Sequence, residues 1–298
     1  MIIDDIKRLK QEKNAVILAH YYQNMDVCSV ADYVGDSFEL SKKAAETKAD
    51  IIVFCGVRFM AESAKILSPY KKVLLPVKDA GCPMADMIDV SNLRALKAVY
   101  PRASVVCYVN SSAEVKAESD ICCTSSNALR VVESLVNDEI IFIPDKHLGS
   151  YVAAHFPDKH FVFIDGYCPI HAQVTARDIK HLKARHPDAA VAVHPECPAE
   201  VVALADYVGS TTGIISYASL SEHNEIIIGT EQSIITRLNL SCPEKKFYPA
   251  VSDFICPDMK KTTLEELYNS LETESYEIKL SDEIIEKASG CMTKMLSI

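Results

Sequence analysis

The chain has 298 residues, 49% of them hydrophobic and 24% charged, which is enough apolar material for a well-buried core and excludes a disordered chain. The formal net charge is −10 and no run of Lys and Arg is present, so we expect no nucleic-acid partner. We also expect no membrane partner and no signal peptide, because no window of about 18 residues is apolar throughout and residues 1–5 lack the charged-then-apolar order.

The first 99 residues alternate apolar strands with helices in a defined order. A strand at 16–19 ends at His20, and the cluster Gly35-Asp36-Ser37 precedes a helix at 38–47. An apolar strand at 51–54, a helix at 58–67 and a strand at 73–77 follow. The last strand leads to Cys82-Pro83 and then to a helix at 91–99, for which Asp89 is the predicted N-cap.

The same order of features recurs twice more. The second copy has strands at 105–107, 140–143 and 161–164, with Tyr108, Thr124-Ser125, Cys168-Pro169 and the N-cap Thr175. The third has strands at 191–193, 226–228 and 247–251, with His194, Gly209-Ser210-Thr211, Cys256-Pro257 and the N-cap Thr263. The cysteines of the three Cys-Pro pairs are 86 and 88 residues apart in the sequence. The residues that end the first strands, His20, Tyr108 and His194, are 88 and 86 residues apart. The chain is therefore an internal triplication.

This pattern predicts an α/β fold of three pseudo-threefold-related repeats, each a small parallel-sheet α/β/α layer, around a central cavity. The expected units are residues 1–99, 100–185 and 186–298. Residues 263–280 read as a helix and a possible strand, so the segment 263–298 is expected to return and close the first unit. Ligands of parallel sheets bind beyond the carboxyl ends of the strands, where all the repeated polar features lie.

Three of the 11 cysteines, Cys82, Cys168 and Cys256, follow the repeat and precede proline. An odd cysteine count without a signal peptide indicates a reducing compartment, and we expect a cytoplasmic location. Three thiolates near one axis could bind a [4Fe–4S] cluster by three irons and leave the fourth iron open, or bind zinc with one water. The alternative interpretation is that these cysteines are ordinary buried thiols of the core. Their equivalent positions in the three repeats favour a metal site.

The polar clusters supply the candidate binding and catalytic residues. The hydroxyls of Ser37, Ser125, Ser210 and Thr211 precede helices, where they could bind carboxylate or phosphate or could simply cap the helix. The strand ends bring together His20, Tyr22, Tyr108, Asn110, His194 and Glu196, which include the residue types needed for acid–base chemistry. Among these, Glu196 is the best candidate for a general base.

The combination of these motifs resembles the quinolinate synthase family. The matching segments are Ala19-His20-Tyr21-Tyr22-Gln23, Gly35-Asp36-Ser37, Cys82-Pro83-Met84-Ala85, Tyr108-Val109-Asn110-Ser111, Cys168-Pro169-Ile170-His171, His194-Pro195-Glu196-Cys197-Pro198 and Tyr207-Val208-Gly209-Ser210-Thr211. The resemblance extends from about residue 5 to about residue 290 and implies a three-unit fold with a central [4Fe–4S] cluster. It also implies condensation of iminosuccinate with dihydroxyacetone phosphate to quinolinate, a precursor of NAD.

The resemblance assigns roles residue by residue. It implies Cys82, Cys168 and Cys256 as cluster ligands, and Tyr22 and Glu196 in proton transfer, with His20 and Tyr108 also in the catalytic set. The implied substrate-binding residues are His20, Ser37, Tyr108, Asn110, Ser125, His194, Glu196, Ser210 and Thr211. His171 would lie near the cluster.

Two departures from the family pattern are visible. Position 21 is Tyr where some members have Asn, and Cys291 stands alone where some members have a Cys-x-x-Cys-x-x-Cys tail. The resemblance implies functional coupling to an aspartate-oxidising enzyme, which would supply the unstable imine. The alternatives are a [4Fe–4S] hydro-lyase acting on a hydroxy acid, which would release no phosphate, and a non-catalytic iron–sulfur sensor.

Overall fold

The computed structural model describes residues 2–298 and contains three four-stranded sheets, each built from a consecutive part of the chain. The first sheet consists of β1 (Ala15–His20), β2 (Tyr33–Gly35), β3 (Ile51–Cys55) and β4 (Lys72–Leu74). The helices of this part are α1 (Ile2–Glu12), α2 (Met25–Val30), α3 (Ser37–Glu46), α4 (Arg58–Leu67) and α5 (Val90–Val99), with a 3-10 turn at Ala85–Met87.

The second and third sheets repeat this arrangement. The second consists of β5 (Ser104–Tyr108), β6 (Ile121–Cys123), β7 (Glu139–Ile143) and β8 (His160–Phe163), with α6 (Ala113–Ala117), α7 (Ala128–Glu133), α8 (Lys146–Ala153), α9 (Pro169–Ala172) and α10 (Ala176–Arg185). The third consists of β9 (Ala190–Val193), β10 (Tyr207–Val208), β11 (Glu225–Gly229) and β12 (Lys246–Pro249), with α11 (Ala199–Val202), α12 (Thr211–Leu220), α13 (Ser233–Ser241), α14 (Pro257–Lys260) and α15 (Leu264–Thr273). The final helix is α16 (Asp282–Ser297).

Every strand pair in the three sheets is parallel, and the spatial order of strands is the same in each. The first strand of each unit lies between the second and the third, and the fourth lies at the edge beyond the third. This confirms the predicted α/β class and the three repeated layers. The boundaries of the units at residues 99 and 185 stay a prediction.

One aspartate in each unit fixes the second strand against the first. Asp32, Asp120 and Asp206 each accept a 2.8 Å hydrogen bond through Oδ2 from a backbone N–H of the first strand. The N–H of the same aspartate donates back to the carbonyl oxygen of the same partner residue. Those partners are Ile17, Val105 and Val191. The repetition seen in the sequence therefore extends to individual hydrogen bonds.

The predicted helix starts are confirmed at all three N-caps. The side chains of Asp89, Thr175 and Thr263 each accept a hydrogen bond from the N–H three residues later. At Thr175 a complete capping box forms, since the side chain of Asp178 also accepts from the Thr175 N–H. The fourth strands of the units each begin one residue earlier and end one to three residues earlier than predicted.

The C-terminal segment returns to the first unit. The helix α15 packs against α1, and Leu267 and Leu271 share a core with Ile6 and Leu9. The strand expected before residue 280 is reduced to a single antiparallel bridge between Leu74 and Glu277. Hydrogen bonds from the Leu75 N–H to the Tyr276 carbonyl oxygen and from the Ile278 N–H to the Val73 carbonyl oxygen flank it. The last helix, α16, then covers α4 of the first unit and β6 and α6 of the second. Within residues 2–298, no helix is both long and apolar enough to cross a membrane.

Candidate active site

A central cavity of about 110 Å³ lies at the carboxyl ends of the strands, and residues from all three units line it. Each unit contributes a strand-end cluster, a hydroxyl cluster and a Cys-Pro loop. Of the residues that the sequence singled out, the lining includes His20, Tyr22, Ser37, Tyr108, Asn110, Ser125, His194, Glu196 and Thr211, together with Cys82, Cys168 and Cys256. The triplication therefore brings chemically similar residues from distant parts of the chain to one place.

The three repeated cysteines meet at this cavity as free thiols. Cys168 and Cys256 are the N-caps of α9 and α14, each followed by proline at the first helical position. Burial raises the pKa of Cys82 to about 12 and that of Cys256 to about 11, and it raises the pKa of Cys168 well above its ordinary value. Three soft donors around one enclosed cavity fit a cluster held by three cysteines. Binding a metal there must displace the thiol protons.

Two other Cys-Pro pairs lie away from the cavity. Cys197 is fully buried, and its thiol donates to the carbonyl oxygen of Gly229 over 3.4 Å. Cys242 follows α13 and is 7% exposed. Neither residue lines the central cavity. Only the cysteines that follow the repeat therefore reach it as Cys-Pro pairs.

Glu196 is at the centre of a buried hydrogen-bond network. Its Oε1 accepts from the hydroxyl of Tyr108 at 2.6 Å, and its Oε2 lies 2.7 Å from Nδ1 of His171. This short contact assigns the Nδ1 proton to His171, whose Nε2 then accepts from the Thr230 hydroxyl at 3.0 Å. Although burial opposes ionisation, the neighbouring imidazoles of His194 and His171 and these hydrogen bonds hold the pKa of Glu196 well below its ordinary value.

Tyr22 and Glu196 occupy equivalent positions in the first and third units. In each case the histidine two residues earlier accepts the backbone N–H through Nδ1: His20 from Tyr22 at 3.1 Å, and His194 from Glu196 at 3.3 Å. Burial lowers the pKa of His20 to about 4 and that of His194 to about 3, so both rings are neutral near pH 7. Neutral histidines whose Nδ1 accepts a backbone proton present N–H at Nε2.

The Tyr22 hydroxyl lies between two threonines. It is 3.0 Å from Oγ1 of Thr211 and 2.7 Å from Oγ1 of Thr230. Burial raises the pKa of Tyr22 well above its ordinary value, and the same is true of Tyr108. Both phenols are therefore protonated near pH 7. The Tyr108 proton is directed at Glu196, whereas the Tyr22 hydroxyl is shared with the two threonines.

The hydroxyl clusters differ in their distance from the cavity. Ser37 and Thr211 line it, and Ser125 lines it while its Oγ lies 3.1 Å from Nε2 of His194. Ser210 instead caps α12, accepting from the Gly213 N–H at 3.2 Å, and it lines a neighbouring outer cavity of about 480 Å³. Ser125 lines both cavities, so the two adjoin.

Asn110 carries an unused hydrogen-bond acceptor. Its Oδ1 is buried and has no hydrogen-bond partner, although the residue lines the central cavity. A buried amide oxygen without a partner is costly, and a ligand with a donor group would satisfy it. This is independent support for a polar ligand in the cavity.

Sequence reasoning missed Thr230 and Glu231, both fully buried at the end of β11. Thr230 bonds to Tyr22 and to His171, and Glu231 lines the cavity and pairs with Lys260 at 3.2 Å. The signal was available in the sequence, because polar residues directly follow the third strand of this unit. The repeat pattern marks the third strands only as apolar runs and gives no weight to the polar residues that follow them.

Comparisons with known proteins give one family. A family model described as "Quinolinate synthetase A protein" matches residues 4–297. The chain is 53% identical to the quinolinate synthase of Alkaliphilus metalliredigens, over 100% of this chain and 98% of that protein. It is 52% identical to quinolinate synthase 2 of Methanosarcina acetivorans, over 100% of this chain and 96% of that protein. It is also 52% identical to the quinolinate synthase of Clostridioides difficile, over 97% of this chain and 95% of that protein.

Proposed function

The chain belongs to the quinolinate synthetase A family of enzymes, and we propose that it condenses iminosuccinate with dihydroxyacetone phosphate to give quinolinate, phosphate and water. The product is a precursor of NAD. We further propose that the reaction takes place in the cytoplasm and that an aspartate-oxidising enzyme supplies the unstable imine. The convergence of Cys82, Cys168 and Cys256 on one cavity is the observation that carries this proposal.

These three cysteines would hold a [4Fe–4S] cluster through three of its irons. Their free thiols, their partial burial and their common cavity fit such a group. When bound, a cluster with one open iron supplies Lewis-acid stabilisation to a hydroxyl or carboxylate oxygen of the substrate. The remaining chemistry falls to the side chains around the cavity.

Anionic groups of the substrates would be bound by neutral donors. The cavity lining includes no Lys or Arg among residues 2–298. The hydroxyls of Ser37, Ser125 and Thr211, the amide of Asn110, and the rings of His20 and His194 would instead hold carboxylate and phosphate. Ser210 would contribute from the adjoining outer cavity. Among these, His194 is already bonded to Ser125, so the two would act together on one anion. Neutral donors bind an anion without leaving a buried positive charge in the empty site.

Proton transfer would use Tyr108, Glu196 and Tyr22. The Tyr108 hydroxyl lines the cavity and points its proton at the ionised Glu196. A substrate proton taken up by Tyr108 can therefore pass to Glu196 in one concerted movement, so Glu196 acts as the base through Tyr108. On the opposite side, Tyr22 can donate its proton and recover one along its contacts with Thr211 and Thr230. His20 packs edge-on against Tyr22, with ring centroids 4.5 Å apart, and holds the ring of Tyr22 in place.

The test combines metal analysis with product analysis under anaerobic conditions. We expect about four irons and about four acid-labile sulfides per chain, lost in Cys168→Ser and retained in Cys242→Ser, a matched Cys-Pro control outside the cavity. The loaded protein should form quinolinate and phosphate in equal amounts from the two substrates. Failure to take up iron and sulfide after zinc is removed and the chain is reconstituted anaerobically with iron and sulfide would overturn the cluster.

Two outcomes would favour the other candidate functions. Dehydration of a hydroxy acid without phosphate release would identify a hydro-lyase. An intact cluster with no turnover of either kind, unaffected by the loss of His20, Tyr22 or Glu196, would identify a sensor.

A further inference from the structure

Three donor atoms of different chemistry lie together on one side of the cavity. Sγ of Cys168, Nδ1 of His171 and Oε2 of Glu196 are all within 4.8 Å of one another. Nδ1 of His171 lies 3.3 Å from the sulfur and 2.7 Å from the carboxylate oxygen. We propose that the chain without its cluster binds a single divalent transition-metal ion, with zinc preferred, through Cys168, His171 and Glu196.

The distances suit a small tetrahedral ion. Zinc bonds of about 2.3 Å to sulfur and about 2.0–2.1 Å to nitrogen and oxygen place neighbouring tetrahedral donors about 3.5 Å apart for S and N, and about 3.3 Å apart for N and O. The sulfur–nitrogen distance of 3.3 Å is close to this value. The nitrogen–oxygen distance of 2.7 Å is that of a hydrogen bond. It needs to open by about 0.6 Å once the ion takes the place of the shared proton.

Two further contacts orient the donors as metal ligands usually are oriented. Nε2 of His171 is 3.0 Å from the Thr230 hydroxyl, which can accept the ring proton at Nε2 once the ion has replaced the proton at Nδ1. The other oxygen of Glu196 accepts from Tyr108 at 2.6 Å, which turns Oε2 toward the histidine. His171 and Glu196 are only 2% and 3% exposed. Water therefore competes weakly for the ion.

The donor set determines which metal it would take. One thiolate, one imidazole and one carboxylate suit Zn²⁺ or Fe²⁺ and disfavour Mg²⁺ and Ca²⁺, which prefer oxygen ligands. Three protein ligands leave a fourth position, which faces the cavity and is open to water or to a substrate carboxylate. The site is therefore of the open kind rather than the closed structural kind.

The site and the cluster would exclude each other, because both use Cys168. This mutual exclusion rests on the proposed cluster, whereas the mononuclear site itself depends only on the geometry of its three donors. A chain that takes up zinc before the cluster is built would be held in a form that cannot accept the cluster. Metal supply would then decide which form accumulates.

The experiment uses Co²⁺ and Zn²⁺ as probes of the full-length chain, with and without its cluster, under anaerobic conditions. We expect one Co²⁺ per cluster-free chain, with a thiolate-to-cobalt charge-transfer band and the visible bands of tetrahedral cobalt, and displacement by Zn²⁺. Cys168→Ser and His171→Ala should weaken binding at least 100-fold. Thr230→Val, which removes only an orienting contact, should weaken it about 10-fold. The cluster-loaded chain should bind no cobalt in this way.

The decisive controls are Cys82→Ser and Cys256→Ser. Neither cysteine belongs to the proposed site, so both variants should bind Co²⁺ with unchanged affinity although they cannot hold a cluster. Loss of the cobalt bands in these variants would show a three-thiolate site and overturn the proposal, as would absence of binding in the parent chain. Far-UV circular dichroism and thermal unfolding of each variant separate loss of a ligand from loss of the fold. Iron and sulfide content of the reconstituted parent chain tests the cluster separately.

Discussion

Replacing Glu196 with Gln keeps the shape of the side chain and removes its charge, so it isolates what the carboxylate contributes. The parent carboxylate accepts two short hydrogen bonds, from Tyr108 at 2.6 Å and from His171 at 2.7 Å. A bond to a charged acceptor contributes about 1.5–3 kcal/mol and a bond between neutral groups about 0.5–1.5 kcal/mol. The Gln oxygen can accept from Tyr108, and its NH2 group can donate to Nδ1 of His171 once the histidine proton moves to Nε2. Two bonds to a charged acceptor then become two neutral bonds, at a loss of about 2–3 kcal/mol.

Part of that loss is offset, because Glu196 is 3% exposed and the variant no longer buries a charge. We expect the free energy of unfolding to fall by only about 1–2 kcal/mol at pH 7. Since the pKa of Glu196 is held low in the folded chain, its stabilisation is present above the ordinary pKa of 4.5 and is lost as the pH falls through the folded value. The difference between parent and variant should therefore shrink in acid.

Turnover should respond far more strongly than stability. Loss of a general base costs about 10²- to 10⁴-fold in rate, equivalent to about 3–5 kcal/mol of barrier. The assay is quinolinate and phosphate release under anaerobic conditions, normalised to iron content. Glu200→Gln, an exposed carboxylate four residues away on α11, is the matched control and should turn over normally.

The double variant with Tyr108→Phe tests whether the two residues act as one unit. If Glu196 takes its proton through Tyr108, the double variant should be no slower than the slower single variant. Full turnover of Glu196→Gln with an intact cluster would refute the assignment of the base. Additive losses in the double variant would refute the relay through Tyr108.

Three further changes have results that the structure determines. Gly166→Ala places a Cβ 2.2 Å from the carbonyl oxygen of Pro144, so it should shift the loop that carries Cys168 and reduce both iron content and melting temperature. Gly81→Ala, whose Cβ meets nothing closer than 3.9 Å, should leave both quantities unchanged. The pKa of His20 falls from 6.5 to about 4 on folding. As the pH is lowered from 7 to 5, the parent should therefore lose about 2 kcal/mol of its free energy of unfolding through this residue alone. Urea titrations of His20→Gln should lack that part of the loss. Glu274→Gln removes a carboxylate that pairs with two lysines at a partly exposed site. Urea unfolding at pH 7 should show a decrease in the free energy of unfolding of no more than about 1 kcal/mol, and this decrease should become smaller with added salt. A larger decrease would contradict solvent screening of these ion pairs.

The sequence carried enough information to predict three repeated layers around a central cavity, but not which side chains of different layers bond to one another there. Local interactions within each repeat are enough to predict its strands, its Cys-Pro loop and its helix N-cap. Those N-caps are Asp89, Thr175 and Thr263. The bond between Tyr108 and Glu196 joins two units, and no periodicity encodes the orientation of one unit against another.

The same limit applies to individual residues of the site. Ser37 and Ser210 look equivalent in the sequence, but one lines the central cavity and the other caps a helix beside an outer cavity. A single threonine after an apolar strand is common in proteins, so the sequence alone does not mark Thr230 as a residue of the site. Its role appears only when Tyr22 from the first unit and His171 from the second meet it.

The first unit is covered by both ends of the polypeptide, since α1 and α15 pack side by side over its sheet. On the ribosome, this unit emerges before the other two, but its core cannot be completed until Leu271, the last residue of that core, has been synthesised. At 5–20 residues per second, the delay between residue 99 and residue 271 is roughly 10 to 30 s. During this time the apolar face that α15 will cover is exposed to chaperones and to other nascent chains. The core of the first unit is therefore completed only after the second and third sheets have been synthesised.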